Sequence, residues 1–542
     1  MDARQPGLAE ARSPLSCPRV NLKRGKLPII LAPLLLLQLA LAIGSMRGDS
    51  ATDDEPAHLT AGYLKLTRGS VSFYRYNPPL GDSLLAIPLL FARVHLPANW
   101  KSDSNPWNVG KALLYGSGND ADRVLFLARL PALACLIALS LLAAWIAWRM
   151  IQSELAAVVA YALTAFCPNL IAHGRLATND VELTLFLFVA AILLIEWVKE
   201  PSWRHTALAS IAIAAALLTK VSAVILAPWL VLLCWSHRRE WKTYAVRGFV
   251  LAAAVAAEME LFYMALMRHF SVSAPFREYA ATLDVIHSFV SNGFQKPQYL
   301  LGTFSTNGWW YYYPVAFLLK TTLPALLLLL VAAAGAVYLR KLPAALSLFV
   351  ALYAAAAMAS SLALGLRYVL PVYPFIYVIA ACIVAELTAT VAGREKTIVT
   401  AAMTLLLTWH IAEATLTYPN YIGYFNELIG SRDNADAYLI DSNLDWGQDL
   451  DRLAAWVSAN HIAHINVDYF GGGDVRHSLG DRATHLDGPD PRKHQPGYFS
   501  VSKHFYRTSF FYRQYGLDYG QYFAGATKIA TINGSIDVWR IP

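Results

Sequence analysis

The chain alternates long apolar runs with short charged turns and ends in a polar segment. The runs are Leu27–Ile43, Val124–Trp148, Leu155–Ala172, Val181–Val198, Ala207–Leu218, Val221–Trp235, Phe249–Met267, Val315–Leu339, Pro343–Leu366, Tyr368–Leu387 and Ile398–Ile411. Uninterrupted apolar stretches of about 18 residues or more read as spanning helices, so the pattern predicts about eleven transmembrane helices. The first is read as an uncleaved span, because no small-residue cleavage site follows it and an acidic cluster begins almost at once. Two polar intervals are long. The first, Met46 to Asp122, contains the apolar piece Leu84–Val94, which is too short to cross and is interrupted by Pro88. An interfacial helix is the expected form. The second, Arg268 to Tyr313, ends in Trp309-Trp310-Tyr311-Tyr312-Tyr313, which suits an aromatic belt at the membrane surface.

From about Glu413 the chain turns polar and rich in Tyr, Gly and Asp. Leu450–Ala459 has helical spacing, while His464–Phe470, Gly497–Val501 and Lys528–Arg540 have strand character. The reading is an all-α polytopic membrane protein, residues 1–412, followed by a small extracytoplasmic C-terminal α/β domain, residues 413–542.

Composition agrees. Of 542 residues, 56% are hydrophobic and 15% charged, against roughly a quarter charged in soluble domains. The net charge of +7 is no nucleic-acid footprint, because its carriers sit at alternate helix ends. Arg4, Arg12, Arg19, Lys23, Arg24 and Lys26 precede the first run, and Arg149, Arg238 with Arg239, Arg340 with Lys341, and Arg394 with Lys396 mark later turns. Basic residues on the internal side place the amino terminus in the cytoplasm and the tail outside, in a cell (inner) membrane. The five cysteines, Cys17, Cys135, Cys167, Cys234 and Cys382, all precede the tail, so no disulfide framework is expected there.

The candidate chemistry begins at Asp53-Asp54-Glu55-Pro56-Ala57-His58, just beyond the first run. A carboxylate at that surface can accept a hydroxyl proton while an anomeric carbon is attacked, with its neighbour orienting groups or holding a cation. The plainer alternative is a negative flank for the first helix. On a helix His58 would share a face with Asp54, which makes a divalent cation conceivable, but two ligands make no site and no metal is assigned. Asn77-Pro78-Pro79-Leu80 reads as a stiff turn. The Asp-rich stretch Asp441–Asp451 does not fit a calcium loop, and a turn leading to a helix capped by Asp449 or a neighbour is expected. Gly471-Gly472-Gly473 lacks a nucleotide-binding frame and reads as a flexible loop.

These residues carry a resemblance. Asp54-Glu55, Gly62-Tyr63, Gly69 and Asn77-Pro78-Pro79-Leu80-Gly81 resemble the first-loop signature of the dolichyl-phosphate-mannose protein mannosyltransferase family, whose bacterial relatives include the lipid A aminoarabinose transferases. Ala128-Arg129-Leu130-Pro131, Arg175-Leu176-Ala177-Thr178-Asn179-Asp180 and Leu217-Leu218-Thr219-Lys220 resemble later family segments in the same order. Asn77 stands where the family has a histidine, and no β-trefoil insert follows the seventh run. The tail motif Asp441-Ser442-Asn443-Leu444-Asp445-Trp446-Gly447-Gln448-Asp449 resembles bacterial members of the superfamily.

The resemblance implies the third glycosyltransferase membrane fold (GT-C), acting on the outer face with a polyprenyl-phosphate sugar donor and an extracytoplasmic acceptor. By matching position it implies Asp54 as base, Glu55 as its partner and Asp180 as a second acid on the same cavity. The donor phosphate then needs cations, and Arg129, Lys220, Lys320 and Arg367 fall near external helix ends. For each, snorkelling to the interface is the competing explanation. Two other functions stay open: a multi-pass transporter or flippase, and an envelope scaffold presenting the tail.

Overall fold

The computed structural model describes residues 26–268, 271, 273–291, 297–486 and 496–542. The amino-terminal basic residues up to Arg24 lie outside that set. The chain opens with α1 (Leu27–Arg47), then α2 (Glu55–Arg68), α3 (Pro79–Ala86), α4 (Pro106–Lys111) and α5 (Ala121–Ile151). The Pro-Pro turn is a helix start: Pro78 is extended, with φ −59° and ψ 162°, and Pro79 takes the first position of α3. A proline costs nothing there, because that N–H would have no partner in the helix anyway. A 3-10 turn, Ile87–Phe91, continues α3, so the short apolar piece is indeed helical and broken near Pro88. Pro79–Phe91 falls among the shorter apolar helices of 10–17 residues. Arg129 of α5 donates to the carbonyls of Met46, at the end of α1, and of Asp49 and Ser50 just past it, so the intervening segment starts and returns at one end of the bundle.

Next come α6 (Glu154–Ala165), α7 (Pro168–Gly174), α8 (Asp180–Lys199), α9 (Trp203–Thr219), α10 (Leu226–Cys234), α11 (Trp241–Met267) and α12 (Ala274–Ser291). A short hairpin, β1 (Gln298–Leu300) with β2 (Thr303–Ser305), precedes α13 (Tyr312–Lys320), α14 (Leu323–Leu339), α15 (Ala344–Met358), α16 (Tyr373–Thr390) and α17 (Gly393–Thr417). Among the described residues, six helices are long and apolar enough to cross a membrane, or up to eight if each bent pair is one span. The bent pairs are α6 with α7, at 60°, and α13 with α14, at 113°. Prolines explain both: Pro168 and Pro324 sit at the start of the second helix, where the missing N–H forbids continuation. The remaining apolar runs lie on Trp203–Thr219, Val221–Cys234 and Ala344–Met358, shorter than a straight crossing requires. This is a multi-pass membrane protein. Its central packing is aromatic as well as aliphatic, with Phe375 stacked on Phe349 at 4.2 Å and edge-on to Phe188 at 5.0 Å.

In the tail, α18 (Leu450–Ala459) coincides with the run of helical spacing. Five strands, β3 (Ile465–Asp468), β4 (Ala483–His485), β5 (Gly497–Ser502), β6 (Thr527–Ile532) and β7 (Ile536–Ile541), form a sheet of order β4-β3-β5-β7-β6. β3 runs parallel to both neighbours, Ile465 facing Ala483 and Tyr498, while β5–β7 and β6–β7 are antiparallel. The single run Lys528–Arg540 thus becomes a hairpin whose three-residue connection turns at Asn533 (φ 48°) and Gly534 (φ 84°), with the Ser535 N–H donating to the Ile532 carbonyl.

Two tail expectations are corrected. Asp449 precedes α18 but makes no capping bond; its carboxylate is taken by Arg452, Asn533 and Ser535. The triple glycine is packed down, not loose. The N–H of Gly472 donates to the carbonyl of Ala51, and a Cβ there would collide with the Thr52 carbonyl.

Candidate active site

Helix ends deliver the charged groups. Asp54 precedes α2 without capping it, which leaves its carboxylate free to reach across the fold. Its Oδ2 accepts from Nη1 of Arg367 at 2.8 Å, although 313 positions separate them. The same nitrogen lies 3.9 Å from Oδ2 of Asp180, the first residue of α8. Oδ1 of Asp180 in turn meets Nζ of Lys220, which closes α9, at 2.5 Å. Asp54, Arg367, Asp180 and Lys220 therefore form one ionic chain at one end of the bundle. Polar residues at that end can stay near water while their helices remain in the apolar layer, so the sequence folds them together.

The chain is graded in exposure. Asp180 is buried at 2%, whereas Asp54 and Lys220 keep 16% and 19% of their side-chain surface. Arg367 sits between them at 10%, its guanidinium 4.3 Å from the ring of Trp446 and 5.3 Å from that of Tyr368. Lys220 lies 5.6 Å from the Tyr368 ring. The Nε of Arg367 is buried without a hydrogen-bond partner. A charged donor left in that state is costly unless an acceptor arrives.

Three expected site residues lie elsewhere. Glu55 is fully buried, its oxygens filled by the backbone N–H groups of Thr52 and Ala177, the Thr52 hydroxyl, and Arg129. Arg129 donates through Nε and Nη2 to Glu55 at 2.8 and 2.7 Å, and its other N–H groups serve the carbonyls of Met46, Asp49 and Ser50. A guanidinium has five N–H donors, and here all are occupied. The sequence reading has Arg129 hold a donor phosphate; in this structure all its donors serve Glu55 and these carbonyls. Lys320 is likewise engaged with carbonyl groups of the fold. Buried at 2%, it donates to the carbonyls of Ile422 (2.8 Å) and Asn443, with the Phe425 ring 4.7 Å away.

His58 does not pair with Asp54. Its Nδ1 meets Asp82 at 2.7 Å, and Lys65 occupies the other Asp82 oxygen at 2.5 Å. Among the described residues no group of three His, Cys, Asp or Glu could hold a metal ion. A second ionic chain ties the tail to the first polar interval: Asp49 bonds Arg175 and, at 2.7 Å, Arg452, which meets Asp449 at 2.5 Å. Burial raises the Asp449 carboxyl, and pushes that of Asp445 up to about 8. Sequence reasoning missed His173, Tyr368 and Trp446, all beside this cluster; the His173 ring lies 5.8 Å from Trp446, with its Nδ1 buried and unpartnered. The one signal was Trp446 inside the tail motif.

Residues 121–259 match the family model described as dolichyl-phosphate-mannose-protein mannosyltransferase, so the resemblance seen in the sequence is found again over a segment that contains Arg129, Asp180 and Lys220. No curated protein sequence matches the chain. Among solved structures, the chain is similar to ArnT from Cupriavidus metallidurans in the apo state, at 11% identity and TM-score 0.49, covering 95% of this chain and 98% of that one. It is also similar to the oligosaccharyltransferase AglB from Archaeoglobus fulgidus, in complex with an inhibitory peptide and a dolichol-phosphate. That match has 12% identity and TM-score 0.46, and covers 90% of this chain and 71% of the other. The S. cerevisiae protein O-mannosyltransferase Pmt1-Pmt2 complex bound to the sugar donor matches at 16% identity and TM-score 0.30, covering 48% and 34%.

Proposed function

We propose that this protein transfers a sugar from a polyprenyl-phosphate donor to an acceptor hydroxyl on the extracytoplasmic side of the membrane. The observation that carries the reading is the ionic chain Asp54–Arg367–Asp180–Lys220, with a partly exposed carboxylate at one end and an unsatisfied guanidinium donor beside it. The family-model match over residues 121–259 supports the same class of reaction.

The donor phosphate takes Arg367 and Lys220, the two cations of the cluster with surface still open. Charge-assisted contacts to a poorly hydrated phosphate are the strong kind. Binding draws Arg367 away from Asp54, and the released carboxylate becomes the base. The acceptor oxygen attacks the anomeric carbon, its proton goes to Asp54, and the C–O bond to phosphate breaks with the electron pair leaving on polyprenyl phosphate. One displacement inverts the anomeric centre. Asp180 keeps Lys220 and Arg367 in place without touching the sugar. Glu55 and Arg129 stay outside the chemistry and fix the loop from below. The tail, on the same outer side as the cluster, belongs to the extracytoplasmic face.

The test is a panel of polyprenyl-phosphate sugars given to the full chain in lipid nanodiscs, with products read by mass spectrometry. At least one donor should yield a transferred sugar with inverted configuration. Well-folded protein that transfers from none would overturn the reading, and solute flux without product would point to a transporter.

A further inference from the structure

The tail motif is threaded between segments of the helical part of the chain. Backbone N–H groups of Ser50 and Asp53 donate to the carbonyls of Gln448 and Trp446, so the residues just before α2 pair with the motif. On its other side, Asn443 takes Lys320 on its carbonyl and the Leu366 N–H on Oδ1, at 2.9 Å. Ser442 donates to the Leu364 carbonyl at 2.9 Å, and a Cβ on Gly365 would strike its hydroxyl. The motif thus lies between the segment bearing Asp54 and the segment bearing Arg367. Its central side chain, Trp446, is 1% exposed and has its ring 4.3 Å from the Arg367 guanidinium.

We propose that Trp446 is a positioning residue that sets the Arg367 guanidinium between Asp54 and the donor phosphate, which makes the carboxy-terminal motif an integral part of the active site. The inference rests on the function proposed above. Beyond Trp446, the restraints on Arg367 are one ion pair to Asp54, a longer approach to Asp180 and the more distant Tyr368 ring at 5.3 Å, and its Nε has no partner. A long side chain so loosely held needs a surface to define its plane. An indole face attracts a guanidinium and leaves the in-plane N–H groups available to carboxylate and phosphate. Trp446 is itself fixed by backbone bonds on both sides, its N–H to Gln448 Oε1 at 2.9 Å and its carbonyl to Asp53. The device therefore couples donor-side and base-side segments through one ring.

Two readouts test this on the full chain in nanodiscs. The first needs no enzymatic activity: phenylglyoxal modification of Arg367, followed by peptide mass spectrometry against exposed Arg340 as internal reference. Trp446→Leu should speed modification of Arg367 by about three- to tenfold, and Trp446→Phe, a weaker aromatic face, by about twofold. The second is transfer kinetics. Trp446→Leu should lower kcat/KM by about tenfold in the native background but much less in Arg367→Lys, whose ammonium has no plane to set. Should Trp446→Leu fail to fold, Trp446→Phe alone decides the first readout. An unchanged modification rate, or losses that multiply independently in the double variant, would overturn the proposal. Changed modification with no transfer from any donor would instead sink the proposed function and leave the Trp446–Arg367 coupling standing.

Discussion

Asp54 and Glu55 are neighbours in the chain, yet each anchors a different kind of ion pair. Glu55 with Arg129 is closed: both side chains are at most 1% exposed, and every guanidinium N–H is bonded. Asp54 with Arg367 is open: both keep surface, one guanidinium nitrogen has no partner, and an aromatic ring rather than a carbonyl takes one face. A saturated pair has nothing left to offer a ligand and serves to hold a loop. An unsaturated one can exchange its partner for a phosphate and release its carboxylate. Adjacent residues at the start of α2 thus take different partners, Arg367 for Asp54 and Arg129 for Glu55.

The comparison breaks most visibly at Asp54. Asp54→Asn keeps size and removes the base, so turnover should fall by about 10²–10⁴-fold, with affinity for an unreactive donor analogue retained. Steady-state transfer and analogue binding on the same preparation check this, and near-normal turnover would remove Asp54 from the mechanism.

Next in size is the closed pair. Arg129→Ala leaves Glu55 charged, buried and unpaired, which should cost about 3–5 kcal/mol of stability. Arg129→Lys should recover little of it, because an ammonium cannot satisfy both Glu55 and the three carbonyls at once. Thermal unfolding in detergent measures both, and wild-type melting temperatures would show that the pair is dispensable.

A smaller effect is expected at the phosphate cations. Arg367→Lys and Lys220→Met should each weaken binding of the donor analogue by about 1.5–3 kcal/mol, whereas Lys320→Met should act through stability. Equal analogue affinity in Arg367→Lys, Lys220→Met and wild type would leave the phosphate without a holder in this cluster.

The smallest effect lies in the tail. Burial pushes the Asp445 carboxyl up to about 8, so the folded chain retains a proton that the unfolded chain releases. Between about 4 and 8 the unfolded state then binds fewer protons, and stability declines as pH rises through that window. Asp445→Asn, neutral throughout, should flatten the profile by a few degrees in melting temperature across the window. Identical pH profiles for the two proteins would show that Asp445 is ionised in the fold.

Much of this was legible in advance, for definable reasons. Apolar runs fall on helices because the bilayer leaves the backbone no other solution. Asp54 and Asp180 are grouped by the family resemblance, and Lys220 and Arg367 are candidates, with Arg129 and Lys320, because all four cations fall near external helix ends. Glu55 and Arg129 could not be sorted, since nothing in the spacing of two residues 74 positions apart says that the guanidinium will be taken up by that carboxylate and three carbonyls. Lys320 was opaque for the same reason: its partners are carbonyls more than a hundred positions away. The tail hid most. Its helix and three of its strand regions were readable from periodicity, but Ala483-Thr484-His485 is too short to show any. Its insertion beside Asp54 depends on backbone pairing, which carries no side-chain signature.

The most direct test sets Asp54→Asn and Glu55→Gln side by side, with turnover per folded molecule and melting temperature measured on the same nanodisc preparations. Asp54→Asn should lose turnover at an unchanged melting temperature, while Glu55→Gln should melt lower yet turn over near normally when folded. The reverse pattern, with Glu55→Gln inactive but stable and Asp54→Asn active, would contradict Asp54 as the base.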